Sequence, residues 1–157
     1  REELEIVRGG DDDAVVYPPT ERNLERVLAG TLRLRQRPGP KNALGYVKFV
    51  FPNAYNVYLH GTPAQELFAA TRRDFSHGCV RVDDPDALAR YVLRDQPEWT
   101  AEKISAAMQS GTEQAVKLKS PLPIYLVYFT AWEEGGALKT VPDIYGLDRR
   151  HDAAKGQ

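Results

Sequence analysis

The chain is poor in sulfur: of its 157 residues one is cysteine and one is methionine. A single cysteine excludes an internal disulfide and any zinc site built from several thiolates. An excess of one charge is missing too. Lysine and arginine number 21, aspartate and glutamate 22, and the formal net charge is −1. No dedicated surface for nucleic acid or for an anionic membrane is expected, which leaves room only for a local patch. No apolar run approaches the roughly 20 residues that span a bilayer. There is no internal repeat and no low-complexity tract. The first residue is Arg1 and no signal-peptide pattern stands at the start, so a targeting segment gives no location.

The remaining composition is that of a folded protein. Hydrophobic residues make up 42% of the chain, too many for disorder. A chain of this length buries roughly 70% of its unfolded surface, enough for a single core and one domain.

Residues 1–20 are polar and punctuated by Gly9-Gly10, Asp11-Asp12-Asp13 and Pro18-Pro19, which leaves little room for a regular element. Thr20 is placed to cap a short helix with Leu24, Val27 and Leu28 on its apolar face and Gly30 as its stop. Residues 36–45 hold two prolines and two glycines and read as a loop. From Tyr46 the texture becomes β-rich. Residues 46–51 and 55–59 read as a hairpin turned at Pro52-Asn53, residues 64–71 as a short helix, and residues 79–82 as a short strand. Asp84-Pro85 opens a helix, because aspartate caps well and proline suits the first helical position. Its apolar face is Leu88, Tyr91 and Val92. Thr100 opens another, carrying Ile104, Ala107 and Met108 and ending at Gly111. Residues 114–119 alternate as a strand. Residues 123–132 are apolar on both faces and read as the central strand. Residues 143–145 read as a last edge strand, and the chain from Arg149 as a frayed polar tail.

The chemistry-bearing residues are few. Of three histidines, His60 and His77 lie upstream of the only cysteine, Cys79, in the strings Leu59-His60-Gly61-Thr62-Pro63 and Ser76-His77-Gly78-Cys79-Val80-Arg81. His60 ends one expected strand and Cys79 begins another, a common place for catalytic side chains on a rigid scaffold. A cysteine nucleophile reacts as its thiolate, and a neighbouring imidazole is the usual means of forming it. Arg81, two residues beyond Cys79 on a strand, shares its face and could support the thiolate or bind a carboxylate. Gly78 leaves the backbone unobstructed, so amides around it could face an oxyanion. Plainer readings stand beside these. A lone cysteine is often a small buried hydrophobe, a lone histidine a structural residue, and Arg81 a surface ion-pair partner. His60, His77 and Cys79 could also ligate zinc, although no fourth ligand is evident.

The string from His60 to Arg81 resembles the catalytic motif of the L,D-transpeptidases (YkuD-type): a histidine, about fifteen residues, then Ser/Thr-His-Gly-Cys, a hydrophobic residue and Arg or Asn. Here fifteen residues separate His60 from Ser76, and Ser76-His77-Gly78-Cys79-Val80-Arg81 fits each position. Gly39-Pro40-Lys41-Asn42-Ala43-Leu44-Gly45, Phe51-Pro52-Asn53, Tyr58-Leu59-His60 and Asp143-Ile144-Tyr145 resemble the large Gram-negative branch that crosslinks peptidoglycan, over about residues 32–148.

The resemblance implies roles. Cys79 is the nucleophile and His60 the general base and later acid. The Gly61 carbonyl orients the imidazole, His77 shapes the site, Gly78 and Cys79 offer oxyanion amides, and Arg81 supports the nucleophile loop. Tyr58 and Ser76 are substrate-binding positions. The implied reaction forms a thioester from a tetrapeptide stem with loss of D-alanine. A diaminopimelate amine of a second stem then accepts the acyl group, giving a 3→3 crosslink. Peptidoglycan stem peptides are the implied partners, with no nucleic acid and no transmembrane segment in this chain. No cofactor is implied, carbapenems are expected to acylate the cysteine, and the implied location is the periplasm or cell envelope. Two rivals remain: an L,D-carboxypeptidase or endopeptidase using the same pair, and a non-catalytic peptidoglycan-binding module.

The implied fold is mainly β, a YkuD-type sandwich with short peripheral helices. The family carries several strands before the Gly-Pro loop, and residues 1–31 do not read as strands. They are expected to be the remnant of a lid-like insertion, with the N-terminal strands missing, a partial catalytic domain at 32–148 and a polar tail at 149–157.

Overall fold

A computed structural model describes residues 3–9 and 14–155. The turn expected from Gly10 to Asp13 lies outside the described residues. The chain divides into two compact units, residues 1–121 and residues 122–157.

The first unit opens with strands where loop was expected. β1 (Leu4–Arg8) pairs antiparallel with β2 (Val15–Tyr17) on one side and with β3 (Arg33–Gln36) on the other, in the order β2-β1-β3. Punctuation by glycine and proline marks the ends of these strands rather than excluding them. Ile6 and Val7 are buried in β1, and Leu32 joins them.

The helix α1 (Glu21–Leu28) follows the Thr20 cap, whose hydroxyl accepts from the Asn23 amide. Gly30, at φ +72°, ends the turn after it. Its expected apolar face is not the covered one: Leu24 is exposed and Leu28 is 89% exposed. The buried residue is Asn23, whose amide donates to the Pro18 carbonyl and whose oxygen accepts from Arg26. Local polar tethers, rather than an apolar stripe, set the orientation of so short a helix.

A second three-stranded sheet carries the motif. β4 (Lys48–Phe49) runs antiparallel to β5 (Leu59–His60), which runs parallel to β6 (Val80–Arg81). The hairpin expected over 46–59 is present with shorter strands. Asn53 folds its long connection: its side-chain oxygen accepts the amides of Tyr55 and Val57, and its side-chain amide donates to the carbonyls of Phe51 and Val57. The short helix expected at 64–71 is a 3-10 turn at Gln65–Ala69.

The helices α2 (Pro85–Val92) and α3 (Ala101–Gln109) have the expected caps. Asp84 accepts from the Ala87 amide and Thr100 from the Lys103 amide. They form a core of Ala89, Leu93 and Ile104, with Phe49, Val92, Trp99 and Met108 packed on it. Tyr91, expected on this face, is exposed, and its ring sits under Arg94. Residues 114–119 form no strand. Their alternation has another origin: Val116 and Leu118 pack on the helical core, while buried Gln96 accepts the Lys119 amide at 2.9 Å.

The second unit departs most from expectation. Residues 122–129 lie in no strand, and Tyr125 is 83% exposed. The regular element is a hairpin of β7 (Ala131–Glu134) and β8 (Ala137–Thr140). Its two-residue turn is Gly135-Gly136 at φ +61° and +80°. Both values are positive, as a tight right-twisting hairpin turn requires. Residues 143–145 form a turn, not an edge strand, and the polar stretch from Arg149 lies inside α4 (Leu147–Lys155). The apolar and β-branched character of 122–129 favours an extended chain, but a strand needs a partner. None of the described residues pairs with it.

The described residues thus hold three small sheets and four helices. None of those helices is long and apolar enough to cross a membrane.

Candidate active site

The site is built on alternation in the β4-β5-β6 sheet. Leu59 pairs with Val80 and His60 with Arg81. In parallel neighbours in register, paired residues point to the same side, and residues two apart share a face. Tyr58, His60, Cys79 and Arg81 therefore lie on one face. Lys48, paired with His60 across β4, joins them. Phe49, Leu59 and Val80 fall on the other face, and Phe49 packs on the helical core. That face is only partly covered, with Leu59 half-buried and Val80 exposed.

His60 is 5% exposed. Its Nδ1 lies 2.5 Å from the Gly61 carbonyl oxygen. A carbonyl can only accept, so Nδ1 carries a proton, and in the neutral imidazole Nε2 is then left with the lone pair. The Gly61 amide, in the preceding peptide, donates to the Val47 carbonyl at 3.0 Å and ties Gly61 to the segment that enters β4.

Tyr58 connects the histidine and the cysteine. Its ring lies 5.8 Å from the imidazole, centroid to centroid. Its hydroxyl lies within electrostatic reach of the Cys79 side chain. Burial, then the charge of Cys79, then its hydrogen-bonding influence push the phenol above its ordinary value of 10.0, and Lys48 pulls the other way. Cys79 itself is half-buried and unpaired with any other sulfur.

The turn before Cys79 is held by Ser76. The Ser76 hydroxyl donates to the Cys79 carbonyl at 2.5 Å and accepts the Gly78 amide at 3.2 Å. Ser76 thus shapes the nucleophile turn. The Gly78 amide, expected as an oxyanion donor, is engaged by it. Gly78 stands at φ +148°, and a β-carbon there would meet Val57 Cγ1 at 2.9 Å. The Arg81 Nε is buried with no hydrogen-bond partner. Arg81 belongs to the same face as Cys79.

His77 is the expected site residue that the structure does not bring in. It is exposed, and no ring contact or hydrogen bond engages it among the described residues. No three histidine, cysteine or acidic side chains cluster as a metal site among the described residues, so His77 does not complete a donor set with His60 and Cys79. Sequence reasoning missed Gly45 and Val57. Both act by close approach to a glycine, and the only available signal was the glycine in a turn-rich string.

An imidazole with a free Nε2, a thiol and a buried guanidinium donor on one face can perform acyl transfer through a cysteine. Comparisons with known proteins agree with this chemistry. The family described as the YkuD L,D-transpeptidase catalytic domain matches residues 6–116. That span begins within β1 and takes in β2 and β3. A Haemophilus influenzae protein named "Putative L,D-transpeptidase" is 39% identical over 123 residues, covering 78% of this chain and 25% of that protein. The chain spans about a quarter of the length of this curated relative. The matched residues include every position from Tyr58 to Arg81 on which the site is built, and the chain belongs to the family of YkuD L,D-transpeptidase catalytic domains.

Proposed function

We propose that this chain carries the acyl-transfer centre of a peptidoglycan L,D-transpeptidase, with Cys79 as nucleophile and His60 as base. The observation that supports it is the shared face of Tyr58, His60, Cys79 and Arg81, with the His60 Nδ1–H committed to Gly61. In this reading Nε2 takes the Cys79 proton, and the thiolate attacks the carbonyl of the third residue of a tetrapeptide stem. The amide C–N bond breaks, and D-alanine leaves with the proton returned by His60. A diaminopimelate amine then attacks the thioester, His60 takes a proton from it, and the C–S bond breaks to give the 3→3 crosslink. The Cys79 amide is the oxyanion donor of first choice, because Ser76 already engages that of Gly78. Arg81 steadies the nucleophile strand and offers its buried Nε to an acceptor oxygen. His77, exposed beside the turn, contacts substrate rather than the thiol.

The β-sandwich belongs to the same reading. Segment 122–129 leaves most of its apolar residues exposed and its backbone out of any ladder, as a strand without a neighbour would. The reaction places the protein in the periplasm, facing its polymer.

The test is intact mass after incubation with a carbapenem, a strained amide that traps acylating cysteines. A single drug-sized adduct on the chain, absent from Cys79→Ala and from His60→Gln, is expected. Muropeptide products then separate acceptors: dimers for an amine, tripeptides for water. A folded chain that takes no adduct overturns the reading.

A further inference from the structure

The loop between β3 and β4 touches the peptide that holds His60. Gly45 stands at φ +65°, and a β-carbon on it would lie 2.7 Å from both Gly61 C and Thr62 N. These are the two atoms of the peptide whose carbonyl accepts the His60 Nδ1–H. The atoms such a β-carbon would meet are backbone, so nothing there could yield by a rotamer change and only a glycine fits. The bare Gly45 backbone therefore lies close against the Gly61–Thr62 peptide and backs it.

The loop is itself braced from β3. The Asn42 side chain donates to the Arg37 carbonyl at 2.9 Å and accepts the Leu44 amide at 2.9 Å. The Gly45 amide donates to the Asn42 carbonyl at 2.9 Å. Gln36 adds two tethers, donating to the Lys41 carbonyl at 2.8 Å and accepting the Ala43 amide at 2.9 Å. Five hydrogen bonds thus run from the end of one sheet to a glycine that backs the next. None of them touches the cysteine, the histidine or the face where substrate would sit.

We propose that Asn42 and Gln36 are positioning residues for His60, bracing the loop so that Gly45 fixes the Gly61 carbonyl and with it the imidazole tautomer. The proposal rests on His60 as the base. The carbonyl selects the form protonated at Nδ1, and a loosened carbonyl lets the ring protonate at either nitrogen. The form with its proton on Nε2 cannot take one from the thiol there.

The experiment is nitrogen NMR of the protein labelled at histidine, which distinguishes the two tautomers at His60, beside the rate and saturation of carbapenem acylation. Asn42→Ala is expected to give a mixed tautomer. The maximal acylation rate falls about tenfold to a hundredfold, the scale for a misplaced catalytic group, and half-saturation changes less than about twofold. Gln36→Ala shows the same signature more weakly and decides the matter if Asn42→Ala does not fold. A folded variant of either kind with the wild-type tautomer and rate overturns the proposal. Failure of the parent reading is distinct: His60→Gln would then acylate at the wild-type rate, while the tautomer signal still judges the brace.

Discussion

A β-carbon on Gly78 would lie 2.9 Å from Val57 Cγ1, so the residue before Cys79 passes the end of the neighbouring strand at a range only glycine allows. Val57 cannot move aside easily, because both its amide and its carbonyl are held by the Asn53 side chain. Gly78 also stands at φ +148°, which L-residues rarely adopt. Gly78→Ala therefore meets two obstacles of different kinds. Its acylation rate is expected to fall at least about a hundredfold as the thiol is displaced. Val57→Ala opens the space without changing the backbone preference, worth about 1–3 kcal/mol. The double variant should recover part of the loss and no more. Full recovery would show that the backbone conformation costs nothing there, and no recovery that the contact is irrelevant.

Asp143 organises the second unit. One carboxylate oxygen accepts the Leu147 amide and the Tyr128 hydroxyl at 3.0 Å, and the other accepts the Asp148 amide. Burial acts to raise its pKa, but these donors prevail and hold it below the ordinary 3.8. Asp143→Ala removes the acceptor of the first α4 amides. Hydrogen exchange should quicken through the first turn of α4 while that of α2 and α3 stays as it was. Protection that persists at Leu147 and Asp148 would contradict the capping role.

Much of this fold is legible because it is local. Thr20, Asp84 and Thr100 each accept an amide three residues on, and that bond depends on nothing else in the chain. The site face was legible for the same reason: a period of two aligns Cys79, just before β6, with Arg81 on it. What was not legible is pairing. Residues 122–129 have the composition of a central strand, yet composition sets only what a strand would bury, not which chain lies beside it. The alternation at 114–119 was real but served packing on helices. Gly45 and Val57 reach the site across distances in sequence that no local pattern encodes. The exposure of His77 was equally invisible, since a motif gives adjacency in sequence and not the direction of a side chain in a turn.

Glu5 ties β1 to β3. Its carboxylate accepts from Arg35 at 3.0 Å, directly across the ladder, and from Arg37 at 2.7 Å. Its side chain is 12% exposed. The Arg35 hydrogen bond is the largest influence, opposed by burial and aided by Arg37, and it holds the carboxyl below its ordinary 4.5. A depressed carboxyl stabilises the fold above its unfolded value, and that stability is lost as pH falls through the folded value. Glu5→Gln should therefore cost about 1.5–3 kcal/mol near neutrality, the range for hydrogen bonds to charged groups. Urea unfolding across pH should show the gap between the two proteins closing below pH 4.5. A gap that stays constant as the solution is acidified would mean the loss comes from packing rather than from charge.

Tyr58 reports directly on Cys79. Its phenol is held above 10.0 by burial first, and by the charge and hydrogen bond of Cys79 after it. Removing the sulfur takes away the last two causes and leaves the first. In Cys79→Ala the phenolate absorbance assigned to Tyr58, by difference from Tyr58→Phe, should appear at lower pH than in the wild type yet still above 10.0. A raised phenol stabilises the fold below its unfolded value, and that contribution is lost as pH rises through the folded one. The wild type should accordingly lose stability in alkali relative to Tyr58→Phe. In the other direction, the phenol keeps its proton at neutral pH and has it to offer the sulfur. Tyr58→Phe is expected to slow carbapenem acylation about tenfold, the scale of one hydrogen bond to a charged group. An unchanged Tyr58 titration in Cys79→Ala would break the link between the two side chains, and with it the expected loss of rate.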